Sequence, residues 1–198
     1  MGRKPIDKER INDPLARKNI IDELAGIYLK YGFEKFTMNT IAKKLGLSKA
    51  TLYRYFASKE EILQAIVELK IQEIEHYEKM LNNPDIEFFE RFFKGLKDAS
   101  LMLAEISGKF LYQTQKKHPE LFNSLNTFQD RSLEIAAKFY RTGIELGYLK
   151  DCDVHYLSLL DKMIIQSLSN PKFLKKYDVN PKEMMDFYYD IKTEGLIK

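Results

Sequence analysis

Between Thr37 and Lys59 the chain gathers short polar and basic side chains at intervals suited to contact with a polyanion. Ser48, Lys49, Ala50 and Thr51 stand together where a short helix begins. They are small or flexible, with a gap at Ala50, and a bulky residue there would hold the helix end out of a groove. Around them Thr37, Lys43, Lys44, Tyr53, Arg54, Tyr55 and Lys59 supply hydroxyls and cations where phosphates would run. Donors to phosphate set position, and donors to base edges set sequence preference. Nothing comparable suggests catalysis. His76, His118 and His155 are scattered, with no ligand-spaced cysteine or histidine partner, so no metal site is expected. No glycine-rich phosphate loop occurs, and no Ser-His-Asp arrangement can be picked out. The expectation is therefore no catalytic residue, no cofactor and no enzyme.

The elements that must position these groups are helices. Thr37 N-caps a short pattern of Met38, Ile41, Ala42 and Leu45, which Gly46 stops. A second short helix runs from Ser48 to about Phe56. Two short helices joined by a tight glycine-containing turn make a helix-turn-helix, whose second helix enters the major groove N-terminus first. Leu45, Leu47, Leu52 and Phe56 complete apolar faces and are expected in the core. Asp13-Pro14 opens the preceding helix, with Ile21, Leu24, Ala25 and Tyr28 on one face and Gly32 at its end. Ser58 to Glu61 predicts a capping box, with Glu61 reaching back to the amide of residue 58, and that helix runs toward Met80.

The rest is helical too. Asn83-Pro84 predicts a helix carrying Phe88, Phe89, Phe92, Phe93 and Leu96. Further segments are expected over 101–112, 121–146 and 154–168, and Asn170-Pro171 breaks the last of these. Asn180-Pro181 with Glu183 starts a final helix through Ile191. No period-two alternation is visible. The fold class is all-α with about nine helices: an N-terminal three-helix helix-turn-helix domain, then a helical bundle.

Composition agrees once it is split. The 198 residues carry a net charge of only +3. Residues 1–59 hold 13 Lys+Arg against 6 Asp+Glu, an excess of +7, and the remainder holds 19 against 23. That asymmetry suits a polyanion-binding module joined to something else, although a solvated basic face accounts for the charge equally well. Hydrophobic residues at 44% and charged residues at 31% exclude a disordered chain. No apolar run nears the roughly 18 residues of a membrane span, and the N-terminus does not read as a signal peptide. Cys152 stands alone, which suits a reducing cytoplasm, and Asp151 and Asp153 would raise its pKa. Arg3, Lys4, Lys8 and Arg10 form a basic arm over 1–13, either a minor-groove reader or a solubilising terminus.

The string from Thr37 to Leu63, with I-A-K-K-L-G-L-S-K-A-T-L-Y-R-Y-F-A-S-K-E at its centre, resembles the tetracycline-repressor (TetR) family of transcriptional regulators over roughly 14–65. The family commonly has an acidic residue just before the Ile-Ala pair, where Thr40 stands here. The resemblance implies that Thr37, Ser48, Lys49, Ala50, Thr51, Tyr53, Tyr55 and Lys59 touch DNA. Lys43 and Arg54 join them as cations on the same stretch. It also implies a reading domain over 1–59 and an effector-binding, dimerising domain over 60–198.

A single helix-turn-helix covers half a site, so a homodimer on a palindromic double-stranded operator is expected. The last two helices are apolar on most sides, which makes Leu157, Leu160, Ile164, Leu168, Met184, Phe187, Tyr188 and Ile191 the expected interface. An aromatic-rich bundle can enclose a ligand. The expected lining is Phe88, Phe92, Phe93, Phe110, Tyr112, Phe122, Phe128, Phe139, Tyr140 and Met163, although aromatics at helical spacing serve equally as core. Asp161, Lys162 and Gln166 are candidate polar anchors there, with solvent-facing positions open for the first two. The function implied is a repressor released by a small, mainly apolar effector. A helical carrier or enzyme with a basic N-terminal domain is the alternative, and a helical adaptor for protein partners a third.

Overall fold

A computed structural model describes residues 13–198. The basic arm, with Arg3, Lys4, Lys8 and Arg10, lies outside the described residues. Ten helices follow one another. They are α1 (Pro14–Tyr31), α2 (Met38–Lys44), α3 (Lys49–Tyr55), α4 (Lys59–Asn82), α5 (88–104), α6 (Gly108–Lys117), α7 (Pro119–Glu145), α8 (Val154–Leu168), α9 (Pro171–Tyr177) and α10 (Pro181–Leu196). No strand occurs among the described residues, only one isolated antiparallel bridge between Leu149 and Ile197.

Local chemistry explains the starts and stops. Asp13, Ser48, Ser58, Ser107, Asp153, Asn170 and Asn180 each accept a backbone N–H from the first turn of the helix they precede. Thr37 and Thr40 form a reciprocal capping box. The threonine standing where the family usually has an acid thus still satisfies the helix end. Gly46 turns the chain out of α2 with φ +65, a conformation costly for a side-chain-bearing residue. The amide of Leu47 then bonds back to the Ala42 carbonyl at 2.9 Å.

Three expectations are corrected and one is extended. Glu61 reaches back to the amide of Ala57 at 2.7 Å, one residue earlier than the capping box requires. Asn83 does not open a helix. Its side chain accepts from Asp85 N, and α5 begins only at Phe88, capped by Glu87. The segment expected over 101–112 is broken at 105–107, because Ser107 leaves α5 and caps α6. Asn170-Pro171 both ends α8 and starts α9, since Asn170 caps and proline suits the first helical position. That restart, α9, is the one helix beyond the nine expected. Within α5, Arg91–Lys97 is wound as a π-helical stretch.

Two apolar clusters hold the molecule. The first joins α1, α2, α3 and the first half of α4, with Leu24, Tyr28, Phe33, Ile41, Leu52 and Phe56 fully buried. Leu45 and Leu47 pack half-buried against it. This cluster also takes in Ile106, Phe110 and Leu125, so the N-terminal head is seated on the body. The second cluster fills the body between α4, α5, α7, α8 and α10. Helix α4 serves both, with Ile62 to Val67 in the first and Ile74 and Leu81 in the second.

Candidate nucleic-acid interface and effector cavity

Helix α3 is seven residues long and buries only Leu52. Its other side chains therefore face outward or sideways from an end anchored by one leucine. Ser48, Lys49, Ala50, Tyr53 and Arg54 are exposed, as are Thr37 and Lys43 on α2 and its cap. Thr51, Tyr55 and Lys59 are half-buried. The ten predicted residues thus lie on one short structural unit, but not with equal freedom. The Ser48 and Thr51 hydroxyls bond each other at 2.8 Å. Lys59 Nζ donates to the Phe33 carbonyl at 3.4 Å and lies over the Phe33 ring. Lys49 Nζ stands 5.8 Å from the Tyr53 ring centroid, so the two candidates share one patch.

Arg17 is a positioning residue that the sequence did not reveal. One guanidinium nitrogen donates to the Tyr55 carbonyl at 2.6 Å, another to Glu61 at 3.2 Å, and the group lies 4.2 Å above the Phe56 ring. It ties α1 to the end of α3 and the start of α4. A basic residue in the first turn of α1 carries no local mark of this use.

The head is fastened to the body through Gln113 on α6. Its Oε1 accepts from Phe33 N at 2.7 Å and Glu34 N at 3.3 Å, and its Nε2 donates to Glu34 Oε2 at 3.2 Å. Gly32, at φ +77, lets the chain pass here, because a Cβ would collide with the Gln113 amide. Phe33 packs edge-on to Phe110 at 5.7 Å. Gln113→Leu leaves the buried Phe33 amide without an acceptor. It is expected to cost about 1–3 kcal/mol in urea unfolding, and wild-type stability would contradict the assignment.

Within the body, α4, α6, α7, α8 and the end of α5 line a cavity of about 260 Å³ that opens to solvent beside Asn126 and Gln166. Ile71, Ile74, Leu111, Phe122 and Phe128 give it apolar walls, while Asn126, Gln129 and Gln166 add polar points. Of the ten aromatic and methionine positions expected to line a ligand site, Phe122 and Phe128 border this cavity. The others stand elsewhere. Phe88 and Phe139 stack on each other at 4.7 Å, Phe92 packs edge-on to Tyr189, and Tyr140 is fully buried, so these fill space rather than enclose it. Phe110 belongs to the seam between head and body, whereas Phe93, Tyr112 and Met163 are exposed on the surface. Of the polar candidates, Gln166 reaches the cavity, Asp161 is buried away from it, and Lys162 lies near Asp130 at 3.8 Å.

The proposed interface residues divide as well. Leu160, Phe187 and Ile191 are 50%, 60% and 53% exposed. On α8, Tyr156, Leu159, Leu160 and Met163 are exposed at i, i+3, i+4, i+7 spacing and make one apolar stripe, while Phe187 and Ile191 stand exposed one turn apart on α10. Leu157 and Leu168 instead point into the body core. Ile164, Met184 and Tyr188 are half-buried against it. The stripe of α8 that faces out is thus rotated from the one expected, because Leu157, Ile165 and Leu168 fill the inward face.

Beneath that stripe lies a buried polar cluster. Asp161 on α8 accepts from Lys192 Nζ at 2.5 Å, Tyr140 OH at 2.5 Å and Tyr188 OH at 2.9 Å. Lys192 also donates to Tyr140 OH, and its ammonium sits against the rings of Tyr140, Tyr188 and Tyr189. Burial pulls the lysine below its ordinary range, with Asp161 opposing. Burial, then the charge of Asp161, holds the Tyr140 hydroxyl well above its own. Burial, then Asp151 and Asp153, raise the Cys152 thiol, as the sequence suggested. Among the described residues no group of three His, Cys, Asp or Glu could hold a metal ion, and no helix is long and apolar enough to cross a membrane.

Comparison with known proteins follows this geometry. Residues 20–66 match the model described as bacterial regulatory proteins, tetR family. The HTH-type transcriptional regulator YvaF of Bacillus subtilis is 23% identical over 180 residues, covering 90% of this chain and 94% of that protein. An HTH-type transcriptional regulator of Staphylococcus aureus (strain USA300) is 25% identical over 167 residues, 81% of this chain and 82% of that one. Among solved structures, the ketosteroid transcriptional regulator KstR2 of Mycobacterium tuberculosis superposes with TM-score 0.65 at 18% identity, over 96% of this chain and 97% of that one. A regulator from Saccharomonospora viridis in complex with choline gives 0.70 at 19% identity, over 94% and 100%.

Proposed function

We propose that this chain, a member of the tetR family of helix-turn-helix transcriptional regulators, binds a palindromic operator as a homodimer and acts as a repressor released by a small, mainly apolar effector. The observation that carries the reading is α3, a short helix held by one buried leucine with Ser48, Lys49 and Ala50 exposed at its N-terminal end. We assign DNA reading to residues 1–59, and effector binding and dimerisation to 60–198, with α4 shared between them. Lys49, Ala50 and Thr51 face base edges. Tyr53, Tyr55, Lys59, Lys43, Arg54, Ser48 and Thr37 lie along phosphates, with Lys59 and Ser48 also serving the local fold.

The effector occupies the internal cavity. Its walls are mainly apolar, and its one charged lining residue, Lys70, is already matched by Glu73 and Glu105, which favours a neutral, mainly apolar molecule over a cation such as the choline held by the Saccharomonospora protein. Coupling to DNA has a physical route. Ile106 and Gly108 border the cavity, and the loop between α5 and α6 is bonded on both sides. Ser107 N donates to Leu29 O in the head at 3.0 Å, and Gly108 N donates to Ser169 O in the body at 2.8 Å. An effector shifts the head only to the extent that it binds the released arrangement better than the DNA-bound one.

Two substitutions test the interface. Tyr53→Phe removes a phosphate donor, and is expected to weaken all duplexes alike by about 1 kcal/mol, roughly fivefold. Lys49→Ala is expected to cost about 1–3 kcal/mol on the preferred duplex and to change which sequence is preferred. Titrations on selected and random duplexes read both, and unchanged affinity in both variants would remove α3 from the interface.

A further inference from the structure

A second, larger space lies outside the internal cavity. It is a groove of about 670 Å³ with one wall from the head and the other from the body. Ala25, Gly26 and Leu29 of α1 face Leu101, Ala104 and Leu174 of the body across an apolar floor. Lys70 and Ser169 belong to the walls of both spaces. Lys70 stands between them, 7% exposed and held by Glu73 at 2.9 Å and Glu105 at 3.1 Å. Burial works against that ammonium, but the two carboxylates outweigh it and raise its pKa.

The rim supplies the chemistry. Lys18 is matched by Asp22 at 2.7 Å, and the remaining rim carboxylates, Glu73 and Glu105, are both engaged by Lys70. Among the described residues Lys30 on the head wall, which lies over the Tyr31 ring, and Lys182 on the body wall, which feels the charge of Asp98, form no direct ion pair. An apolar floor flanked on both sides by ammonium groups outside any direct ion pair is complementary to a molecule with an apolar tail and an anionic head.

We propose that this groove is a second ligand site, distinct from the effector cavity, which takes an amphipathic anion and clamps the head against the body. Because the ligand touches both walls, it stabilises one head angle, and any effect on DNA affinity is returned as an equal effect on ligand affinity.

Gly26 gives a clean test. It lies within α1, and a Cβ there meets nothing within 4 Å, so Gly26→Leu fills the groove without a clash at Cβ. The substitution also favours the helix, so the melting temperature should hold or rise. The probes are decanoate, 1-decanol and decyltrimethylammonium, which share a tail and differ in head charge, titrated calorimetrically into the full chain below their micelle concentrations. Decanoate is expected to bind at least tenfold tighter than the other two. Gly26→Leu should weaken it at least tenfold, and Lys30→Ala with Lys182→Ala should erase its advantage over decanol. Gln129→Leu, in the internal cavity, should leave it unchanged. Equal binding of the three probes, or undiminished decanoate binding by Gly26→Leu, overturns the proposal. Duplex binding by the probe-free chain is read separately, so failure here is distinguishable from failure of the regulator reading.

Discussion

Asp161→Leu is expected to lower the free energy of unfolding by about 3–5 kcal/mol, because it removes the one carboxylate shared by a buried ammonium, the buried Tyr140 hydroxyl and the half-buried Tyr188 hydroxyl. Asp161 is 3% exposed and Lys192 5% exposed, so water cannot replace the lost partner without opening the body. The two halves of the pair should not be equivalent. With Lys192→Met, the Tyr140 and Tyr188 hydroxyls still donate to Asp161, so the charge left behind keeps two hydrogen bonds and the loss should be smaller. Combining both substitutions removes both charges and leaves only the hydroxyls unmet, so the double variant should be more stable than Asp161→Leu alone. Urea unfolding of the four proteins decides this. A wild-type midpoint for Asp161→Leu, or a larger loss for Lys192→Met, would contradict the assigned network. The cluster joins α7, α8 and α10, and it fixes the register of the two helices that carry the exposed apolar residues.

Phe187→Glu is expected to weaken self-association about 10³-fold. Phe187 is 60% exposed in one chain, so a glutamate there leaves the protomer folded. In a two-fold interface each substitution occurs twice. Burying one phenylalanine contributes about 1.5–3 kcal/mol, so losing two copies costs about 4 kcal/mol, three decades in Kd. Leu160→Glu tests the α8 stripe in the same way. Sedimentation equilibrium reads the result, and an unchanged association constant in both variants would move the interface elsewhere. The same variants should lose affinity for a two-half-site duplex while retaining that for a single half-site.

What could be read from the sequence was what is decided locally. Thr37, Gly46 and Ser48 set the ends of α2 and α3 within a few residues, so the helix-turn-helix was readable in full. Asn170-Pro171 shows the limit of such signals, because the same pair can stop a helix and start another. The aromatic residues failed as cavity markers for a different reason. Phe88, Phe92 and Phe139 recur at helical spacing whether they surround a ligand or one another, and in the fold they pack on one another. Arg17 with Tyr55, Gln113 with Phe33 and Asp161 with Lys192 are separated by 38, 80 and 31 residues. Such partners have no periodicity to betray them. Asp161 did carry one usable hint: a carboxylate within an apolar helix must face either water or a partner.

The central claim is that a dimer of this chain reads a two-fold DNA site through α3. The most direct measurement is a titration of the full chain onto duplexes selected from a random pool, repeated across a series of salt concentrations. The account predicts enrichment of an inverted repeat with half-sites about one helical turn apart, bound by two chains, at least about 10³-fold tighter than random duplex and weakening linearly in log–log salt. Equal affinity for every duplex, or one chain bound to a site without symmetry, would contradict it.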